Sequence, residues 1–123
     1  MIQVTDEEFQ ELINSALEAL PGEHAKNIKN VAILYSDEPT LEQRHELELR
    51  HDQTLLGLYE GVPLTKRQGG TPILPDTITL FKLPISSMAT NLTGLEEQIR
   101  HTLWHEIGHY YGLNHDQIHS LES

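Results

Sequence analysis

The stretch His105-Glu106-Ile107-Gly108-His109-Tyr110-Tyr111-Gly112-Leu113-Asn114-His115 decides how the rest of the chain is read. It has the form H-E-x-x-H-x-x-G-x-x-H. On a helix, residues four apart lie on one face, one turn apart. His105 and His109 therefore aim two imidazoles at one point, which is half of a tetrahedral zinc site. Glu106 lies about 100° round the helix from His105. That offset keeps it out of the ligand pair and lets it reach a water held there, where a general base belongs. Gly112 permits a turn at positive φ after the helix, and the turn brings His115 back as a third ligand. Three protein ligands leave one position for water, as in catalytic rather than closed structural zinc sites. A surface helix packed through Ile107, Tyr110 and Tyr111 would leave Gly112 and His115 without a reason.

Composition bounds the rest. A chain of 123 residues, 37% hydrophobic, suits a single domain spanning 1–123 with a modest core. No apolar run is long enough to span a membrane, and the opening Met1-Ile2-Gln3-Val4-Thr5-Asp6 lacks the basic start and apolar stretch of a signal peptide. Cysteine is absent, so a metal site must use His or carboxylates, and a cytoplasmic location is expected. Lys and Arg number 8 against 19 Asp and Glu, a formal charge of −11. Such a surface repels phosphate backbones and shows no basic face, so no nucleic-acid partner is expected. The acidity is expected to keep a small protein soluble, with attraction of basic substrates as the alternative reading.

Upstream of the motif, the elements follow in order. Thr5-Asp6-Glu7-Glu8 is a capping box, and Phe9, Leu12, Ile13, Ala16, Leu17 and Leu20 follow at helical spacing until Pro21-Gly22. A short helical turn fits Glu23 to Lys29. Asn30 to Asp37 reads as a buried strand and Thr54 to Glu60 as a second. Between them, residues 38–52 suit either a solvated helix or a loop, with Leu47 and Leu49 too few to define a face and His45 and His51 on the surface. Residues 61–75, dense in Gly and Pro, form a long loop in which Lys66 and Arg67 are exposed or meet substrate. Asp76 to Leu83 alternates like an edge strand with one wet face. Its residues Thr77 to Leu83 can pair with an extended peptide. Residues 84–92 read as a loop. Thr93 caps the motif helix, Glu96 and Glu97 lie in its first turn, and Ile99, Leu103, Trp104 and Ile107 form its buried stripe. A helical turn over Asp116 to Leu121 ends the chain. The expected fold is α+β, a small mixed or mainly antiparallel sheet with helices packed on one face.

These segments together resemble the zincin metallopeptidases, specifically the small bacterial minimal zincins. The resemblance runs from about residue 5 to 121. It is carried by Asp6-Glu7-Glu8-Phe9, Asn30-Val31-Ala32-Ile33, Leu55 to Leu64, Pro75 to Phe81 and the His105–His115 motif. It implies a compact zincin core: an N-terminal helix, the small sheet and the active-site helix. It also implies a zinc ion held by His105, His109 and a residue after Gly112, with Glu106 catalytic and a peptide or protein as substrate. Family members often carry Asp as the third ligand. Here His115 keeps the spacing and Asp116 follows, so His115 is taken as the ligand. A metzincin would need a methionine turn downstream, but the eight residues after His115 contain no Met.

Tyr110, Tyr111, His101 and His119 are candidates for stabilising an oxyanion, though tyrosines there more often pack in a core. Three other readings compete with a standalone peptidase. A non-catalytic zinc module would need a fourth protein ligand, such as His119. A metal-dependent endoribonuclease shares the three-His spacing but usually lacks the Glu after the first His. A peptidase completed by a partner protein is the third.

Overall fold

The computed structural model describes residues 2–20, 28, 30–61 and 75–122, with backbone alone at His115, His119, Leu121 and Glu122. Helix α1, Asp6–Ala19, starts at the capping box: Thr5 Oγ1 accepts from Glu8 N at 3.1 Å and Glu8 Oε1 accepts from Thr5 N at 2.9 Å. Its Phe9, Ile13 and Ala16 are buried on one stripe. Strand β1 is Val31–Ser36 and helix α2 is Leu41–Glu46. The charged stretch forms a helix there because Thr40 and Gln43 make a second reciprocal capping box. His45 and His51 are exposed. Strand β2 is shorter than its sequence pattern, Gly57–Glu60, and β3 is Asp76–Phe81.

The sheet order is β1-β3-β2, with β1 parallel and β2 antiparallel to β3. This corrects the edge-strand expectation for 76–83. β3 is central, its backbone paired on both sides, and even Thr79 is only 8% exposed. Alternation reports which face a side chain takes, not a strand's place in the sheet. The peptide-pairing role expected of Thr77 to Leu83 is therefore unavailable to β3. Phe81 N donates to Leu56 O. Antiparallel alternation then turns the backbone groups of Leu58 and Glu60 toward β3, and those of Gly57 and Tyr59 outward.

Residues 82–92 also depart from expectation. Lys82–Ser87 forms helix α3, and the strand stops at Phe81. Pro84 sits in the first turn of α3, where its missing N–H has no intrahelical partner to lose. The motif helix α4, Leu92–Tyr110, is capped by Asn91, whose Oδ1 accepts from Gly94 N at 2.8 Å. Thr93 is not its cap, and its first turn holds no acid. Helix α5, His115–Glu122, follows.

Phe9, Ile13, Ala16 and Leu20 of the α1 region meet Ile78 and Leu80 of β3, Ile85, and Leu95, Ile99, Leu103 and Ile107 of α4 in one core. α4 thus lies on the sheet with its motif end beside β2. No helix among the described residues is long and apolar enough to cross a membrane. The helical turn expected over Glu23 to Lys29 and the loop carrying Lys66 and Arg67 fall outside the described residues, apart from Ile28.

Candidate metal centre

The C-terminal end of α4 is shaped by two glycines. Gly112 has φ 84°. Its N–H donates to His109 O at 2.9 Å, and Leu113 N donates to Gly108 O at 3.0 Å. This paired arrangement closes a helix through a left-handed residue, which glycine adopts without a Cβ penalty. The chain reverses, and α5 begins at His115 three residues later. Gly108 allows α5 to return onto α4. A Cβ there would stand 2.5 Å from Ile118 Cγ1, and Ile118 is only 1% exposed. The spacing of the histidines does not reveal this second requirement.

His105 and His109 project from one face of α4, their ring centroids 4.9 Å apart. With Glu106 they form a group whose candidate ligand atoms all lie within 4.8 Å of one another. His109 Nδ1 lies 3.1 Å from Leu113 O. A carbonyl only accepts, so this contact puts the proton on Nδ1 and makes Nε2 the nitrogen able to ligate. The Gly112 turn that supplies this carbonyl therefore also sets the tautomer of a candidate ligand. His115 stands at the first position of α5, and its side chain lies outside the described atoms.

Glu106 is only 7% exposed. Its Oε1 accepts from Tyr59 N at 3.0 Å, using one of the N–H groups that β2 turns away from β3. Burial raises its pKa to about 7, partly opposed by that backbone hydrogen bond. The approach of β2 to α4 depends on Gly57. A Cβ on it would lie 2.7 Å from Thr102 Cγ2 and 3.3 Å from Glu106 Cγ. Tyr59 is itself held by a 2.5 Å hydrogen bond from its hydroxyl to Asp76 Oδ2 and by an edge-on contact with Tyr110. Sequence patterning marks neither Tyr59 nor Gly57 as part of the site. The only trace is the glycine within an otherwise apolar strand, which often signals close backbone approach.

These groups line a cavity of about 840 Å3 between α4, the Gly112 turn and the 47–59 segment. His101, one turn before His105, also lines it. Tyr110 is 1% exposed, packs against Tyr59 and Tyr111, and is absent from the lining, as is Tyr111. Of the four oxyanion candidates, His101 is thus the one whose described side chain faces the cavity; that of His119 is not described.

Two imidazoles on one helix face, with a carboxylate beside them, converge in an α+β frame, so the residues present fit a divalent metal with the histidines as donors. A family model of the zincin-like metallopeptidases matches residues 28–123, most of the sequence, and the chain belongs to that family. The match takes in the whole sheet, the motif helix and α5. No curated protein matches the chain.

Proposed function

We propose that this protein is a zinc-dependent peptidase in which His105, His109 and His115 hold the metal and Glu106 is the general base. The observation that carries the reading is the convergence of His105, Glu106 and His109 on one cavity, with Glu106 held from the opposite side by a backbone amide. When bound, zinc polarises the scissile carbonyl, acidifies a water and, being cationic, draws Glu106 back toward its ionised form. Tyr59 N–H occupies Glu106 Oε1, which leaves Oε2 to take the proton from the water and pass it to the leaving amine. His101, which lines the same cavity one turn before His105, is the candidate for stabilising the developing oxyanion.

An extended peptide can pair with the outward edge of β2 rather than with β3. Gly57 offers N–H and C=O there. The N–H of Tyr59 on the same edge is already given to Glu106.

Metal content and cleavage of a mixed peptide set, measured together on wild type, His109→Ala and Glu106→Gln, test this reading. Wild type should hold one zinc, His109→Ala should lose it, and Glu106→Gln should keep it while cleavage falls on the order of 10²–10⁴-fold. Equal zinc content in all three would remove the ligand assignment. Zinc as expected with no peptide cut by wild type would favour a non-catalytic module instead.

A further inference from the structure

The wall facing the histidines is built of leucines that the fold does not use. Leu47, Leu49, Leu55 and Leu58 line the cavity there, with Leu113 on the adjoining Gly112 turn, and none of the five belongs to the core cluster or to the partly buried residues packed on it. Leu47 is 44% exposed. A single exposed leucine needs no explanation, but several round one cavity do. On a chain of formal charge −11, this wall carries no acidic or basic side chain among the described residues; the acid and the three histidines of the lining, Glu106, His101, His105 and His109, are all on α4.

Local geometry aims the first two leucines. Glu48 has φ 54°, and Leu49 N reaches back to Arg44 O at 3.0 Å, closing α2 through a left-handed residue. Leu47 and Leu49 on either side line the cavity, while Glu48 between them is exposed and does not. A side-chain bond from Gln43 to Glu60 at 3.0 Å ties this corner to β2, hence to the strand that holds Glu106.

We infer that this leucine wall is a specificity subsite for an aliphatic side chain beside the scissile bond, so that the preferred substrates are peptides with a leucine-like residue there. The inference rests on the peptidase reading and adds which peptides are taken. The wall is continuous with Glu106 and the imidazoles, so the side chain it covers belongs to a residue at the reacting bond. An acidic side chain there would lose its water to leucines that return no hydrogen bond.

The test uses two short peptide hydroxamates, which chelate zinc whether or not the protein cleaves anything. They differ only in carrying a leucine-like or an aspartate-like side chain. Calorimetry on the zinc-loaded wild type should favour the leucine-like compound by about tenfold or more. The doubly substituted Leu47→Ser, Leu49→Ser protein should lose most of that preference while keeping its zinc content and unfolding midpoint. Equal binding of both compounds by wild type, or a preference that survives the double substitution, overturns the subsite. If wild type takes up no zinc, the peptidase reading fails first and the subsite falls with it; if zinc is held and the side chain makes no difference, the subsite alone fails.

Discussion

The two walls of the cavity are specified in different ways. The α4 wall is local: His105, Glu106 and His109 fall together because they are one and four residues apart on a helix. The facing wall, from α2 through β2, is assembled from residues 47–59, and it reaches Glu106 only because a strand 47 residues away in sequence lies against the helix. The first wall follows from a repeat distance. The second follows from packing, and its tolerances are those of close van der Waals contact. A helix alone can bring candidate ligands together, but a buried, oriented carboxylate needs a second element.

The largest expected effect lies where the walls meet. Burial raises the Glu106 pKa from 4.5 to about 7 in the metal-free protein. Below pH 4.5 the carboxyl is protonated in both folded and unfolded chains and costs nothing. As pH rises toward 7 the unfolded chain ionises first, so stability falls across that window and stays lowered above it. Glu106→Gln keeps an acceptor for Tyr59 N–H. It should therefore raise metal-free stability by ~2–3 kcal/mol at pH 8, with the gain vanishing near pH 4. Urea unfolding midpoints of both proteins at pH 4, 5.5 and 8 measure this. A gain independent of pH would mean that the two walls do not bury the Glu106 carboxyl.

The next effects separate the walls. Gly57→Ala drives a methyl into Thr102 and toward Glu106, and should cost ~2 kcal/mol. Thr102→Ser removes the opposing methyl, so the double variant should recover part of that loss. Gly108→Ala drives a methyl into Ile118 and should cost a similar ~2 kcal/mol. It should also lower zinc affinity, because α5 carries His115. Zinc titration beside denaturant unfolding sharpens the comparison: Gly108→Ala should move both readings, and Gly57→Ala chiefly stability and turnover. Equal loss of zinc affinity in both would erase the distinction.

The smallest effect belongs to the leucine corner. Glu48 occupies the left-handed region at φ 54° without being glycine. Glu48→Gly should relieve that strain, offset in part by the greater freedom of glycine in the unfolded chain, for a net gain of at most ~1 kcal/mol. A destabilised variant would show that the Glu48 side chain contributes something beyond its backbone angle.

Legibility followed the same division. The first capping box at Thr5 and Glu8, the left-handed turn at Gly112 and the buried stripe of Ile99, Leu103 and Ile107 could all be read along the chain, because each is fixed within a few residues. The strand from Asp76 was also legible, but its place in the sheet and the elements after Phe81 were not. There β3 became the centre of the sheet, α3 replaced a loop and Asn91 replaced Thr93 as the cap. Thr79 looks solvated in a linear pattern, and only the tertiary structure reveals that it is covered. Tyr59 escaped notice because its contribution to the site is a backbone amide, which every residue but proline possesses.

By itself, then, the order of residues determined the metal-type group, its helix and the turn that follows, since helical periodicity and glycine's backbone freedom act over short distances. Only the tertiary structure decided what faces that group. The pairing of β2 with β3, the close passage at Gly57 and the leucine corner after α2 depend on which distant surfaces pack together. The burial that raises the pKa of Glu106 belongs to that packing and cannot be assigned to any single stretch of the chain.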